Sequence, residues 1–219
     1  MTPQPTSPEP KAPPEQILDA AAVCFMERGY SGASLDDVAR HMGATKGRIY
    51  HYFDSKSDLL HAIRKWAMNK NFAAVRPAYA SDLAPYEKFH RMAKAHALSI
   101  LSERAYQKAL LDSLHLHITQ GLAGPAGGEL DEFLGTRRRF EDMFREVLNA
   151  GIQSGAFHVK NVSFALHTVL SLLNSTLYWY TPRLGEPSDT KQEIADQLAD
   201  MALGALGAHR KSPDERNPQ

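Results

Sequence analysis

Lys46, Arg48 and His51 project outward from a short helical run that opens at Thr45 and closes near Tyr52. Basic side chains at the N-terminal end of a helix, where unpaired backbone N–H groups and the helix dipole favour anions, suit contacts with phosphates and base edges. A helix that reads a major groove presents such an end to DNA. The residues around it, LDDVARHMGATKGRIYHYFD from 35 to 54, have the spacing of a helix-turn-helix. Val38, Met42, Ile49 and Tyr52 fall where two helices face a shared core, Ala39 where they cross, Gly43 where a tight turn needs positive φ, and Ala44 on the turn's buried side. A capped helix pair of this kind also serves as plain scaffold in all-α proteins, so the pattern alone leaves both readings open.

Charge placement adds to it. The chain is neutral overall, with 25 Lys+Arg and 25 Asp+Glu, yet residues 40–70 carry 7 basic and 2 acidic side chains. Residues 1–39 carry 2 and 6, and residues 71–219 carry 16 and 17. Neutralised phosphates release counterions and supply most non-specific affinity, so one basic stretch matters more than the sum. Lys56, at the start of the next helix, is placed for a backbone phosphate.

Other chemistries find less. A single cysteine, Cys24, can neither close an intrachain disulfide nor build a thiolate zinc site. Of the ten histidines, His115 and His117 are two apart and leave a helix in different directions, while His90 and His96 are six apart. No metal site is expected. The chain has no phosphate loop, dinucleotide fingerprint or nucleophile elbow, so no catalytic residue and no cofactor are expected. The N-terminus resembles neither a signal nor a transit peptide, and a cytoplasmic protein with no membrane partner is the expectation. Val162–Tyr180, the most apolar stretch, is interrupted by Ser163, His167, Thr168, Ser171, Asn174, Ser175 and Thr176, which argues against a membrane helix.

The elements that must position these residues are all helical. Residues 1–13 hold five prolines and read as a disordered tail. From Pro14 a helix carries Ile17, Ala20, Ala21, Cys24 and Phe25 on one face and stops at Gly29. Ser34 with Asp37 forms a capping box for the second helix, Thr45 opens the third, and Ser55 with Asp58 opens a long fourth. Pro77 and Pro85 punctuate the stretch after it. Helices are expected from about Tyr86 to Ser102, from Arg104 to about His117, from Glu129 to Ser154, from Val162 to Tyr180, and from about Lys191 to Ala208. A loop at 121–128 with four glycines and one proline parts the fifth and sixth from the rest. The expected fold is all-α with about nine helices: a DNA-binding unit with its connector over 14–75, a ligand-binding and dimerisation unit over 76–210, and a polar tail over 211–219.

The block from Ile17 to Leu60 resembles the N-terminal domain of the TetR family of bacterial transcriptional regulators. Its carriers are Phe25 with Glu27-Arg28-Gly29-Tyr30, Ser34 to Ala39, Lys46-Gly47-Arg48-Ile49-Tyr50-His51-Tyr52-Phe53, and Ser55-Lys56-Ser57-Asp58-Leu59-Leu60. The resemblance implies that Thr45, Lys46, Tyr50 and His51 face the DNA groove and that Lys56 holds a phosphate. Ser34, at the start of the second helix, joins this DNA-contact set. Arg48 departs from the small Ser or Thr usual at its place and could add a base contact. The family further implies a homodimer built on the last two helices, an effector pocket in the C-terminal domain, and repression of a pseudo-palindromic operator. Leu166, Leu170, Leu173, Leu177, Leu198 and Met201 are the candidate dimer residues. The apolar 162–180 helix could instead be a buried central helix of a monomer.

Arg137 sits on the apolar stripe of Leu130, Phe133, Leu134, Phe140 and Phe144, where a charge is costly unless paired. Either it pairs internally or snorkels outward, or it meets an anion-tipped ligand with an apolar body. A coenzyme A thioester fits that description. A second resemblance points the same way: Gly151-Ile152-Gln153-Ser154-Gly155-Ala156-Phe157, and Leu173-Asn174 through Trp179-Tyr180-Thr181-Pro182, are similar to TetR-type regulators of acyl-CoA breakdown, with Thr181 where that family has Arg. Phe89, Met92, Tyr106, Arg137, Phe140, Phe144 and Asn174 form the candidate pocket, though aromatic residues at helical spacing also make ordinary core. The rival expectation is a helical acyl-CoA-binding or interaction protein without DNA binding.

Overall fold

The computed structural model describes residues 14–120 and 128–208, apart from the side chains of 115–120. The expectations for the 1–13 and 211–219 tails, for most of the 121–128 loop, and for the side chains of His115 and His117 lie outside the described residues. Among the described residues the secondary structure is helical throughout: α1 (Pro14–Gly32), α2 (Leu35–His41), α3 (Lys46–Tyr50), α4 (Lys56–Tyr79), α5 (Pro85–Ser102), α6 (Arg104–Gln120), α7 (Glu129–Gln153), α8 (Val162–Asn174), α9 (Thr176–Trp179) and α10 (Thr190–Ala205). None of these helices is long and apolar enough to cross a membrane.

Side-chain caps fix three of the helix starts. Ser34 Oγ accepts from the Asp37 N–H at 3.2 Å while the Asp37 carboxylate accepts from the Ser34 N–H at 2.9 Å, the reciprocal box expected from the sequence. Ser55 and Asn161 cap α4 and α8 through single bonds to the N–H groups of Asp58 and Phe164. At Gly29 the backbone turns to φ +70° without ending α1, which resumes for one further turn to Gly32.

Two further expectations shift. α4 runs through Pro77 to Tyr79 and gives up the one hydrogen bond that a residue-77 N–H would have made to the Ala73 carbonyl. The single helix expected over Val162–Tyr180 is broken at Ser175, where the Ser175 N–H bonds to the Leu172 carbonyl and the Tyr178 N–H to Ser175, tighter three-residue turns that separate α8 from α9. Ten helical segments therefore stand among the described residues where nine were expected.

These helices enclose two hydrophobic cores. The first gathers Ile17, Phe25, Val38, Ile49, Leu59 and Ile63 from α1 to α4. The second is larger and gathers Phe89, Met92, Phe144, Leu148, Leu166 and Leu203, among others, from α4, α5, α7, α8 and α10. α4 belongs to both, giving Leu60 and Ala67 to the first and Met68 and Val75 to the second. The expected division after residue 75 therefore falls inside a continuous helix. α6 bridges as well: Tyr106 and Ala109 pack into the first core, and the Tyr106 hydroxyl donates to Asp19 at 2.7 Å.

The second core is tight around Gly151, whose place on the α7 stripe lets the Phe157 ring lie directly against the helix backbone. A Cβ there would stand 2.0 Å from Phe157 Cδ2, and the ring is held from behind by Phe89, 5.7 Å away between centroids. The Gly151→Ala variant is expected to lose roughly 1–3 kcal/mol of stability in urea unfolding, since neither side can yield without repacking.

Candidate nucleic-acid interface and ligand chamber

The end of the molecule that carries most of the expected DNA contacts is built on a very short helix. α3 has one buried residue, Ile49, which anchors it to the first core, while Thr45, Lys46, Gly47, Tyr50 and His51 are exposed. Tyr50 leaves 46% of its surface open, a large exposed area for an aromatic ring. A Cβ on Gly47 would meet nothing within 4 Å, so nothing inside the chain requires glycine there. The absent side chain leaves room for another molecule to approach the backbone. Lys46 Nζ lies 3.1 Å from Asp36 on α2 and 5.8 Å from the Tyr50 ring centre, which ties the two helices together across the turn.

Three other members of the expected contact set are engaged internally. Ser34 Oγ donates to Asp37 Oδ2 at 2.6 Å in addition to capping α2. Asp37 also receives Arg28 at 2.6 Å and Arg40 at 2.9 Å. The Ser34 hydrogen bonds chiefly, helped by the two guanidinium groups, hold its carboxyl down at about 2. Lys56 Nζ donates to the carbonyls of Tyr30 at 2.8 Å and Ala33 at 2.9 Å, capping the end of α1, and stands 4.4 Å over the Tyr30 ring centre. Arg48 is half-buried on the side of α3.

The second site lies inside the larger core. Residues of α4 to α9 surround a small cavity of about 70 Å³ whose wall mixes Met68, Ile100, Phe140, Leu170 and Leu177 with Asn71, His96, Gln107, Arg137, Glu141 and Asn174. The polar groups are paired across helices. Asn71 and Gln107 exchange two amide bonds of 3.1 and 2.8 Å, Ser99 Oγ donates to Asn71 Oδ1 at 3.1 Å, and His96 Nε2 meets Asn174 Oδ1 at 3.1 Å. His96 Nδ1 is buried with no hydrogen-bond partner. Burial drives the imidazole pKa down to about 4, so it stays neutral at pH 7.

Of the expected pocket residues, Arg137, Phe140 and Asn174 line this cavity. Arg137 pairs with Glu141 one turn on, at 2.8 Å, so the internal partner that its place on the stripe demanded is present. Phe144 and Phe89 stand behind the wall, with Phe144 5.5 Å from Phe140 between ring centres, and Met92 is buried in the same core without lining the cavity. Tyr106 lies elsewhere, stacked on Trp66 at 3.9 Å in the first core. His96, Asn71 and Gln107 were missed. The signal was available for Asn71, which falls on the same face as the apolar Met68 and Val75.

The expected dimer residues need correction. Leu166, Leu170, Leu173, Leu177 and Leu198 are all buried in the chain's own second core or beside it, and only Met201 faces outward, 62% exposed. Helix phase is the reason: the most apolar residues face the nearest core, and the opposite stripe is less hydrophobic. On α8 that outer stripe is Phe164, His167, Thr168 and Ser171, and on α10 it is Gln197, Met201, Gly204 and Ala205. Phe164 leaves 73% of its surface exposed. Among the described residues no group of three or more His, Cys, Asp or Glu is arranged to hold a metal ion.

Two family profiles match different parts of the chain. The sequence profile described as bacterial regulatory proteins, tetR family, matches residues 17–63, and that of the tetracyclin repressor-like C-terminal domain matches residues 82–206. The HTH-type transcriptional regulator SrpR of Pseudomonas putida is 38% identical over 218 residues, 95% of this chain and 90% of that protein. The HTH-type transcriptional repressor KstR2 of Mycobacterium tuberculosis is 25% identical over 192 residues, 87% of this chain and 91% of its own. The solved structure of that ketosteroid regulator superposes with a TM-score of 0.77 at 23% identity, covering 93% of this chain and 98% of the other. The structure of AibR in complex with isovaleryl coenzyme A and operator DNA shares the fold, with a TM-score of 0.67 at 21% identity over 88% of this chain and 97% of that one.

The buried imidazole gives stability a pH dependence of definite sign. An unfolded chain protonates His96 near pH 6.5, whereas the folded chain resists until about 4, so the unfolded state binds more protons between those values. Stability is expected to be full above pH 6.5 and to fall as pH drops towards 4, by about 3 kcal/mol at most from this group. Urea unfolding at pH 7 and pH 4.5 should show a smaller loss for His96→Gln than for the parent. An equal loss in both would place the pH dependence on other groups.

Proposed function

Because this chain belongs to the TetR family of bacterial regulatory proteins, we propose that it acts as a homodimeric repressor that holds a pseudo-palindromic operator and leaves it when a coenzyme A thioester binds. The observation that carries the DNA half is the exposed set on α3, where Thr45, Lys46, Gly47, Tyr50 and His51 stand open around a single buried anchor. Thr45 makes no capping bond with its side chain. Its hydroxyl, the Tyr50 ring and His51 would meet base edges and methyl groups, while Lys46 would trade Asp36 for a phosphate. Lys56 has three N–H donors and uses two on α1, which leaves one for a backbone phosphate.

A second copy would cover the outer stripe of α8 and α10. Phe164 and Met201 supply the apolar area, and Gly204 and Ala205 allow close approach of two helices. Such a pairing sets the two reading helices about one DNA turn apart, or a multiple of it. For the effector, AibR offers a relative of the same fold with isovaleryl coenzyme A and operator DNA. The chamber here is small and mixed in polarity, which suits a short acyl group better than a long hydrocarbon. Release follows from linkage: a thioester that fits only one spacing of the reading helices lowers DNA affinity by its differential affinity for that state.

Titration of the purified chain against its own upstream DNA over a salt series is the test, with a panel of short-chain acyl-CoAs added. Salt-sensitive, sequence-specific binding is expected. Lys46→Ala and Tyr50→Ala should each cost roughly 1–3 kcal/mol, and Lys56→Ala should weaken all sequences alike. Unaltered operator binding in the Lys46 and Tyr50 variants would remove α3 as the reading helix, and failure across a genomic fragment pool would favour the scaffold reading. Met201→Asp and Phe164→Asp should each shift light scattering from dimer towards monomer without lowering the melting temperature of the protomer.

A further inference from the structure

The connector helix α4 and the first half of α7 enclose a groove of about 440 Å³ that is separate from the chamber. Arg64, Lys65 and Arg76 line it from α4 and Arg139 from α7, over a floor of Met68, Phe72 and Phe133. Glu132 is the one carboxylate in the lining, so four permanent cations face one anion. His61 stands 3.9 Å from Glu132 and 3.9 Å from Glu129.

These four cations share one groove, and their hydrogen-bond and ring partners are neutral. Elsewhere in the C-terminal half Arg91, Lys94, Lys108, Arg137 and Arg145 each have a carboxylate within 4 Å, whereas Lys88, Arg104, Arg138, Lys160, Arg183 and Lys191 have none among the described residues. None of the four groove cations has one among the described residues. Arg64 donates to Ser113 Oγ at 3.0 Å and lies 5.1 Å over the Phe133 ring centre, and Arg139 donates to Thr136 Oγ1 at 2.8 Å, neutral partners in both cases. Converging guanidinium groups that end on neutral partners are arranged for an anion from outside, and guanidinium forks match phosphate oxygens.

The groove adjoins the chamber. Met68 is a wall of both, and on α7 Glu132, Thr136 and Arg139 face the groove while Arg137 and Phe140, one residue on in phase, face the chamber. Resting on the reading of the chamber as the effector site, we propose that the α4–α7 groove seats the diphosphate head of the effector, with its stem crossing Met68 so that the acyl end lies in the chamber. The volume is within the range of small-molecule sites, and the floor of Met68, Phe72 and Phe133 gives an organic stem something to lie on. DNA phosphates fit the groove less well. Arg76 is twenty residues along α4 from Lys56, about 30 Å from the end beside the reading helix at 1.5 Å per residue, and a duplex backbone needs no apolar floor.

Calorimetric titration of the intact protein with coenzyme A, with ADP and with the short acyl-CoA panel tests this, alongside the variants Arg76→Gln and Arg139→Gln and their operator affinities. ADP and coenzyme A are expected to bind in a salt-sensitive way. Each variant should weaken binding of both, and of any active thioester, about tenfold, and the pair about a hundredfold, with operator affinity and melting temperature unchanged. A thioester that releases operator and binds the variants as tightly as the parent would overturn the groove and leave the effector reading standing. ADP binding that the variants abolish, with no thioester releasing DNA, would support the groove and overturn the thioester. Loss of operator affinity in folded variants would assign these cations to DNA instead and overturn the proposal.

Discussion

Two hydrophobic cores share one helix, and the rest of the molecule is arranged around that constraint. α4 is 24 residues long and gives Leu59, Leu60 and Ile63 to the core that carries the reading helix, then Met68 and Val75 to the core that holds the chamber. A packed helix moves nearly as a rigid body, because interiors are as dense as organic crystals and do not absorb displacement locally. A group entering beside Met68 or Asn71 therefore cannot shift α4 without disturbing the contacts of Leu60 and Ile63. The α1–α6 contact supplies a second link, with Tyr106 stacked on Trp66 of α4 and bonded to Asp19 of α1. A two-state element biased from both ends is the physical requirement for coupling between a ligand and DNA.

The chamber is chemically costly for so small a space. Asn71, Gln107, Ser99, His96 and Asn174 lie between packed helices, and their hydrogen bonds recover only part of the desolvation that burying them requires. Apolar side chains of the same size would commonly fold as well or better. Polar groups retained at that cost, one of them an imidazole with an unpartnered nitrogen, are suited to orienting a bound molecule.

The reading end spends little structure on its task. α3 buries only Ile49, α2 buries Leu35, Val38 and Ala39, and the Asp36–Lys46 pair spans the turn. The basic side chains divide into those that stabilise the unit and those that remain open. Arg28, Arg40 and Lys56 serve Asp37 and the end of α1, while His51 stays at the surface. Net charge over 40–70 thus overstates the charge free to meet a phosphate.

Local order is legible in the sequence wherever one physical rule acts over a few residues. The capping box at Ser34 and Asp37, the turn at Gly43 and the α7 stripe depend on neighbours three or four positions away, and the structure repeats all three. Which face of a helix meets which neighbour depends on partners distant in the chain. Lys56 looks free in the sequence and in the structure caps α1 from 23 and 26 residues away, and the α8 leucines turn inward because the second core, with α5 and α7, lies on that side. The chamber's polar lining and the α4–α7 groove cations without carboxylate partners were decided only by packing, because each is a meeting of side chains from separate helices that no single periodicity records. Hydrophobic pattern and capping determined the helices by themselves, and tertiary structure decided what their polar residues face, since burial is a property of the whole chain.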